Sequence, residues 1–76
     1  MTTRRVDLTG LDCPEPAILA FREFGKLEAG DWLEAVMDVE ECAYTAAEII
    51  NRSRLGVATV QQAGEKKFVI RAVRLR

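Results

Sequence analysis

The stretch Leu8-Thr9-Gly10-Leu11-Asp12-Cys13-Pro14-Glu15-Pro16 constrains the chain more than any other. Before it, Arg4 to Thr9 alternates, with Val6 and Leu8 on one side and Arg5, Asp7 and Thr9 on the other, the pattern of a half-buried strand. Gly10 turns the chain. Two prolines then fall where a helix can open, because its first N–H groups have no intrahelical partner and a proline there deletes no hydrogen bond. With Cys13 as N-cap, Pro14 takes the first helical position and Pro16 the third, and their rings fix φ. A strand, a sharp turn and a stiff helix start are thus set within a few residues, with one sulfur at the joint.

The remainder reads as alternating elements. From Pro14 to about Glu28, Ala17, Ile18, Phe21, Phe24 and Leu27 recur at helical spacing in one core stripe, and Ala29-Gly30-Asp31 ends the helix with Gly30 as its left-handed terminator. Trp32 to Asp38 alternates as a central strand. Glu40 to Leu55 is a second helix that buries Cys42 and neighbouring alanines and isoleucines, with acids in its first turn, arginines in its last, and Gly56 closing it. Val57–Gln62 and Lys66–Arg74 form a hairpin around Ala63-Gly64-Glu65. The order β-α-β-α-β-β, with one-sided helices and strands of one apolar and one mixed face, predicts an α/β (α+β) two-layer sandwich. Its four-stranded mixed sheet carries both helices on one face and leaves a partly basic face open. A length of 76 residues leaves room for a single domain, residues 1–76.

Composition excludes several functions. The net charge is −1, unlike that of a dedicated nucleic-acid binder. Eleven of the 12 acids lie between Asp7 and Glu48. Histidine is absent, which removes Cys-His catalysis, and two cysteines alone cannot complete a tetrahedral metal shell. No metal and no cofactor are expected. So few cysteines, no leader and no long apolar run point to a reducing, cytoplasmic setting without membrane contact.

Cys13 stands out against this background. A free cysteine is most often a small buried hydrophobe, the expectation for Cys42 within its helical stripe. A helix start is exposed and ordinarily carries Ser, Thr, Asp or Asn, so a thiol there is a candidate functional group. The helix dipole is worth about 0.3–1 kcal/mol, too little to make a powerful nucleophile, and Asp12 and Glu15 oppose it. Exposure on a rigid tip is the larger asset. Cys13 opens one helix and Cys42 faces the core of another, so the two are expected to lie apart and not to form a redox pair. Trp32 reads as packing, and the basic last strand as a solvated face.

These residues resemble the signature of the TusA (SirA-like) sulfur-carrier family: an aliphatic strand, a glycine turn and a Cys-Pro-x-Pro helix start. Gly30 followed by Asp-x-Leu-x-x-x-x-Asp, here Asp31 to Asp38, also matches, and the element order spans essentially the whole chain. After that strand Asp38-Val39-Glu40 stands where many members carry Asp-Asp-Pro. The resemblance implies a sandwich similar to the C-terminal domain of translation initiation factor three. It also implies that Cys13 accepts sulfane sulfur as a transient persulfide and relays it, as a carrier and not a stand-alone enzyme. The donor would be a cysteine desulfurase or rhodanese-type protein. A downstream acceptor would use the sulfur for tRNA thiolation or another sulfur-trafficking pathway. Gly10, Pro14, Glu15 and Pro16 would position the sulfur, and Asp12, Arg22, Lys26 and Asp38 are candidate docking residues on an expected monomer. The alternative is a non-catalytic regulatory module binding RNA or protein through the basic sheet face; direct RNA contact is not part of the main expectation.

Overall fold

The computed structural model describes residues 1–76 and has the order β1 (Thr3–Asp7), α1 (Glu15–Gly25), β2 (Trp32–Met37), α2 (Glu40–Ser53), β3 (Gly56–Gln62) and β4 (Phe68–Arg74). The four strands form one sheet in the order β1-β2-β4-β3. β1 runs parallel to β2, pairing Val6 with Ala35, whereas β2–β4 and β3–β4 are antiparallel. The sheet is therefore mixed, with β2 and β4 in its centre, and the two-layer sandwich is as expected.

Alternation decides which face is covered. Leu33, Ala35 and Met37 of β2 are buried beneath the helices together with Phe68, Ile70 and Ala72 of β4 and Ala58 of β3. α1 contributes Pro16, Ala17, Ala20 and Phe24, and α2 contributes Cys42, Ala43, Ala46, Ala47 and Ile50. The alanines let helix and sheet approach closely, while each fully buried Leu, Ile, Met or Phe supplies about 1.5–3 kcal/mol. Asn51 joins the layers, its amide donating to the Ala58 carbonyl at 3.1 Å and accepting from the Ala58 N–H at 2.8 Å.

Several local expectations are corrected. α1 stops at Gly25, and Gly30, at φ +96°, shapes the turn into β2 without capping the helix. Leu27 is buried all the same, from outside the helix. Ile18 is 53 % exposed, because the α1 stripe runs 17, 20, 24 and turns residue 18 to solvent. α2 ends through Arg54 in the left-handed region at φ 62°, and Gly56 belongs to β3. There a Cβ would meet the Val73 carbonyl and the Phe24 ring, so Gly56 answers to packing and not to helix termination. The hairpin loop is longer than expected, residues 63–67, with Ala63 N–H donating to the Lys67 carbonyl at 2.8 Å.

The connection that matters for function is topological. β1 and β2 point the same way, and a helix follows each. α1 and α2 therefore both begin at the sheet edge where the parallel strands end.

Candidate functional site

That edge is held together by the loop from Leu8 to Pro14. Leu8 N–H donates to the Val36 carbonyl at 2.8 Å, extending the β1–β2 ladder by one rung. Gly10, at φ +81°, adopts a backbone conformation that a side chain would strain. Its N–H donates to Asp38 Oδ2 at 2.8 Å, which ties the loop to the junction of β2 and α2. Thr9 is fixed by Asp7, whose carboxylate accepts from the Thr9 N–H and hydroxyl; these bonds hold the Asp7 pKa below its ordinary value.

Asp12 to Glu15 make a turn closed by Glu15 N–H donating to the Asp12 carbonyl at 2.9 Å, and the Cys13–Pro14 peptide is cis. Here the structure shifts the expected register by one residue. Pro14 is the N-cap, Glu15 the first helical residue and Pro16 the second; Cys13 lies just outside the helix. Neither proline costs a hydrogen bond in this register either. Pro16 is among the fully buried side chains, whereas Asp12, Cys13, Pro14 and Glu15 are exposed. The motif is thus anchored by Pro16 from below and projects the sulfur into solvent.

Cys42 is the third residue of α2, and its side chain is wholly buried. Contrary to the expectation from sequence, the two cysteines are neighbours: the Cys13 thiol is near enough to act on that of Cys42. Burial, and then the Cys13 thiol, push the Cys42 pKa up to about 11, while the Ala17 backbone N–H works the other way. At neutral pH Cys42 is a protonated thiol behind an exposed one. Both cysteines are free.

The helix side of the edge around Cys13 is acidic. Asp12 and Glu15 flank it, and Glu40 and Glu41 occupy the first turn of α2 at the same edge, all exposed. Sequence reasoning counted Glu40 and Glu41 as helix-dipole residues and missed their place at this edge; their first-turn position after a strand parallel to β1 is the signal that finds them. Arg22 and Lys26, expected as docking residues, lie elsewhere. Arg22 is in the last turn of α1, about 10 Å along the axis from Glu15 at 1.5 Å per residue. Lys26 is paired with Glu23 at 2.8 Å. Glu23 also receives Arg4 at 2.6 Å, and its pKa is lowered by its bonds to Lys26 and Arg4. Asp38 has an internal partner in Gly10. No group of three His, Cys, Asp or Glu side chains converges as a metal site would require.

The open sheet face meets this edge at Thr9, Lys66 and Lys67. Arg5, Asp7, Thr9, Lys66 and Lys67 line a shallow hollow of about 510 Å³, which adjoins a second lined by Glu34, Gln61 and Arg71. Trp32 stands on this face and not in the core, with the Arg71 guanidinium 5.4 Å from its ring centroid. Glu34 binds Arg5 at 2.7 Å and Arg71 at 3.1 Å, so one carboxylate offsets two of the cations.

No helix is long and apolar enough to cross a membrane. No curated protein sequence matches the chain. Among solved structures it is similar to a SirA-like protein from Desulfitobacterium hafniense, with a TM-score of 0.80 and 19 % identity over 100 % of both chains. At that identity the likeness establishes the fold. The family described as Sulfurtransferase TusA matches residues 4–72, which takes in β1 from Arg4, the Cys13-Pro14-Glu15-Pro16 helix start and the rest of the sheet up to Ala72 of β4. With Cys13 presented at the edge where both helices begin, the chain belongs to the TusA sulfurtransferase family.

Proposed function

We propose that the protein is a sulfur carrier in which Cys13 takes sulfane sulfur from a donor protein as a persulfide and passes it to an acceptor. The observation that carries this is the placement of Cys13: an exposed thiol one residue outside α1, on a turn braced by buried Pro16 and by the Gly10–Asp38 bond. A relay needs a sulfur that two partners can reach in turn, and it needs little else.

The Cys13 thiolate attacks the outer sulfur of the donor's persulfide. The new Cys13–sulfur bond forms as the donor's S–S bond breaks, and the donor cysteine leaves as thiolate. The acceptor's nucleophile then takes the outer sulfur and returns Cys13 to a thiol. Such exchange depends on thiolate fraction, leaving group and access, and calls for no metal or general base from this chain. Asp12, Glu15, Glu40 and Glu41 give the approach a negative rim, which fits partners with basic docking surfaces. Exposed Ile18 and Tyr44, one helical turn back on either helix, offer apolar contacts to the same partners. A tRNA-thiolation enzyme is one such acceptor.

Incubation with a cysteine desulfurase and cysteine, followed by intact and peptide mass spectrometry, tests the proposal. The expected result is one added sulfur atom on Cys13, absent in Cys13→Ser. No gain with desulfurase, rhodanese or polysulfide as donor would end it.

The basic open face supports a second function, RNA or protein binding by Arg5, Lys66, Lys67 and Arg71 around Trp32. It predicts binding that survives Cys13→Ser and weakens steeply with salt. Glu34 and Asp7 on the same face reduce its charge, which favours the carrier function.

A further inference from the structure

The carrier chemistry uses Cys13 alone, yet a second thiol lies directly behind it. Cys42 is completely buried, and its thiol lies beside that of Cys13. The proximity follows from the fold: parallel β1 and β2 start both helices at one edge, and the Gly10–Asp38 bond draws the Cys13 loop onto the start of α2. We propose that Cys42 is a resolving thiol, which discharges a Cys13 persulfide that no acceptor collects by forming an intramolecular Cys13–Cys42 disulfide and releasing sulfide.

The step balances without an outside oxidant. Cys42 gives up its proton and its thiolate attacks Cys13 Sγ, the inner sulfur, the attack that yields a disulfide and frees the outer sulfur. The Sγ–outer sulfur bond breaks and the outer sulfur departs with the bonding pair as hydrosulfide, which takes up a proton. Cys13–S–SH and Cys42–SH thus become the disulfide plus hydrogen sulfide. The sulfane sulfur is reduced and the two cysteine sulfurs are oxidised; a dithiol reductant restores the carrier. Burial sets the pace. A thiol that stays protonated at neutral pH attacks slowly, so the persulfide lasts long enough for an acceptor and is lost when none arrives. The same geometry makes the sulfur-loaded state self-limiting.

This discharge rests on the carrier function, and two experiments separate the failures of the two proposals. Polysulfide loads Cys13 chemically, after which excess is removed and sulfide and protein mass are followed. The wild type is expected to release sulfide equimolar with the sulfur loaded, at a rate independent of protein concentration, and to end two hydrogens lighter than the reduced protein. Cys42→Ala and the size-conserving Cys42→Ser, each first shown by thermal unfolding to be folded, are expected to hold the persulfide at least about tenfold longer. Equal release from wild type and variants overturns discharge, as does a disulfide found only between molecules. Diamide, which takes two hydrogens from a dithiol, probes the pair with no persulfide and no variant. Peptide mapping is expected to find Cys13 joined to Cys42 within one chain. Loading without that disulfide sinks the pairing; the disulfide without loading sinks the carrier function, and discharge with it.

Discussion

The two helices start at the same sheet edge, neither has a side-chain cap, and each carries a cysteine at or near its first turn. Their chemistry is opposite. Cys13 sits one residue before the N-cap, where the chain has not yet entered the helix, and is exposed. Cys42 sits three residues into its helix, where the winding turns it inward, and is 0 % exposed with its pKa raised to about 11. A displacement of a few residues relative to a helix start converts a presented sulfur into a guarded one. Proximity to a helix N-terminus does not by itself activate a thiol; burial outweighs a dipole worth about 0.3–1 kcal/mol.

The sharpest way to break this contrast is to remove each sulfur in turn. Cys13→Ser is expected to abolish sulfur uptake in a donor assay while leaving the melting temperature almost unchanged, since the position is exposed. Uptake by the serine variant would place the function elsewhere.

The next largest effect is on stability at alkaline pH. Cys42 has its pKa raised from 9.0 to about 11 in the folded chain, so the unfolded chain releases this proton first. The stabilisation is whole below about pH 9 and is lost as pH rises through 11, a loss of about 2–3 kcal/mol. Denaturant titrations at a series of alkaline pH values should show this limb in the wild type and not in Cys42→Ala. Identical pH dependence in both would remove Cys42 as its source.

Asp38→Ala tests what brings the two helix starts together. Losing the bond from Gly10 N–H should cost about 1 kcal/mol, because the freed N–H can reach water. The more telling readout is slower formation of the Cys13–Cys42 disulfide under diamide, since the loop is no longer held to α2. Smallest of all, Arg71→Ala on the opposite face should change stability by less than about 0.5 kcal/mol, the usual worth of an exposed pair. Sulfur uptake should stay within about twofold of wild type. A large fall in uptake would draw the open face into the transfer site.

Much of the fold could be read from residues alone, for identifiable reasons. Strict alternation at Leu33, Ala35 and Met37 marks a half-buried strand whatever its neighbours, and the expected face is the buried one. The spacing of Ala17 and Phe24 does the same for α1, though Ile18 departs from it: a three- or four-residue step fits two adjacent positions, and only the packed sheet chooses between them. Boundaries were harder. Gly30 and Gly56 look like helix ends because glycine commonly ends helices, but one shapes a turn and the other makes room for the Val73 carbonyl and Phe24.

The amino-acid order alone determined the element sequence, the covered faces, and a cysteine on a proline-braced helix start, because these depend on near neighbours and on periods of two and 3.6 residues. It also carried the family signature. The tertiary structure decided that β1 and β2 run parallel side by side, and hence that residues far apart in sequence, Cys13 and Cys42, come together at one edge, with Glu40 and Glu41 in the same helical turn as Cys42. Strand direction and pairing order are set by how the whole chain closes over its core, and no local pattern around either cysteine encodes them.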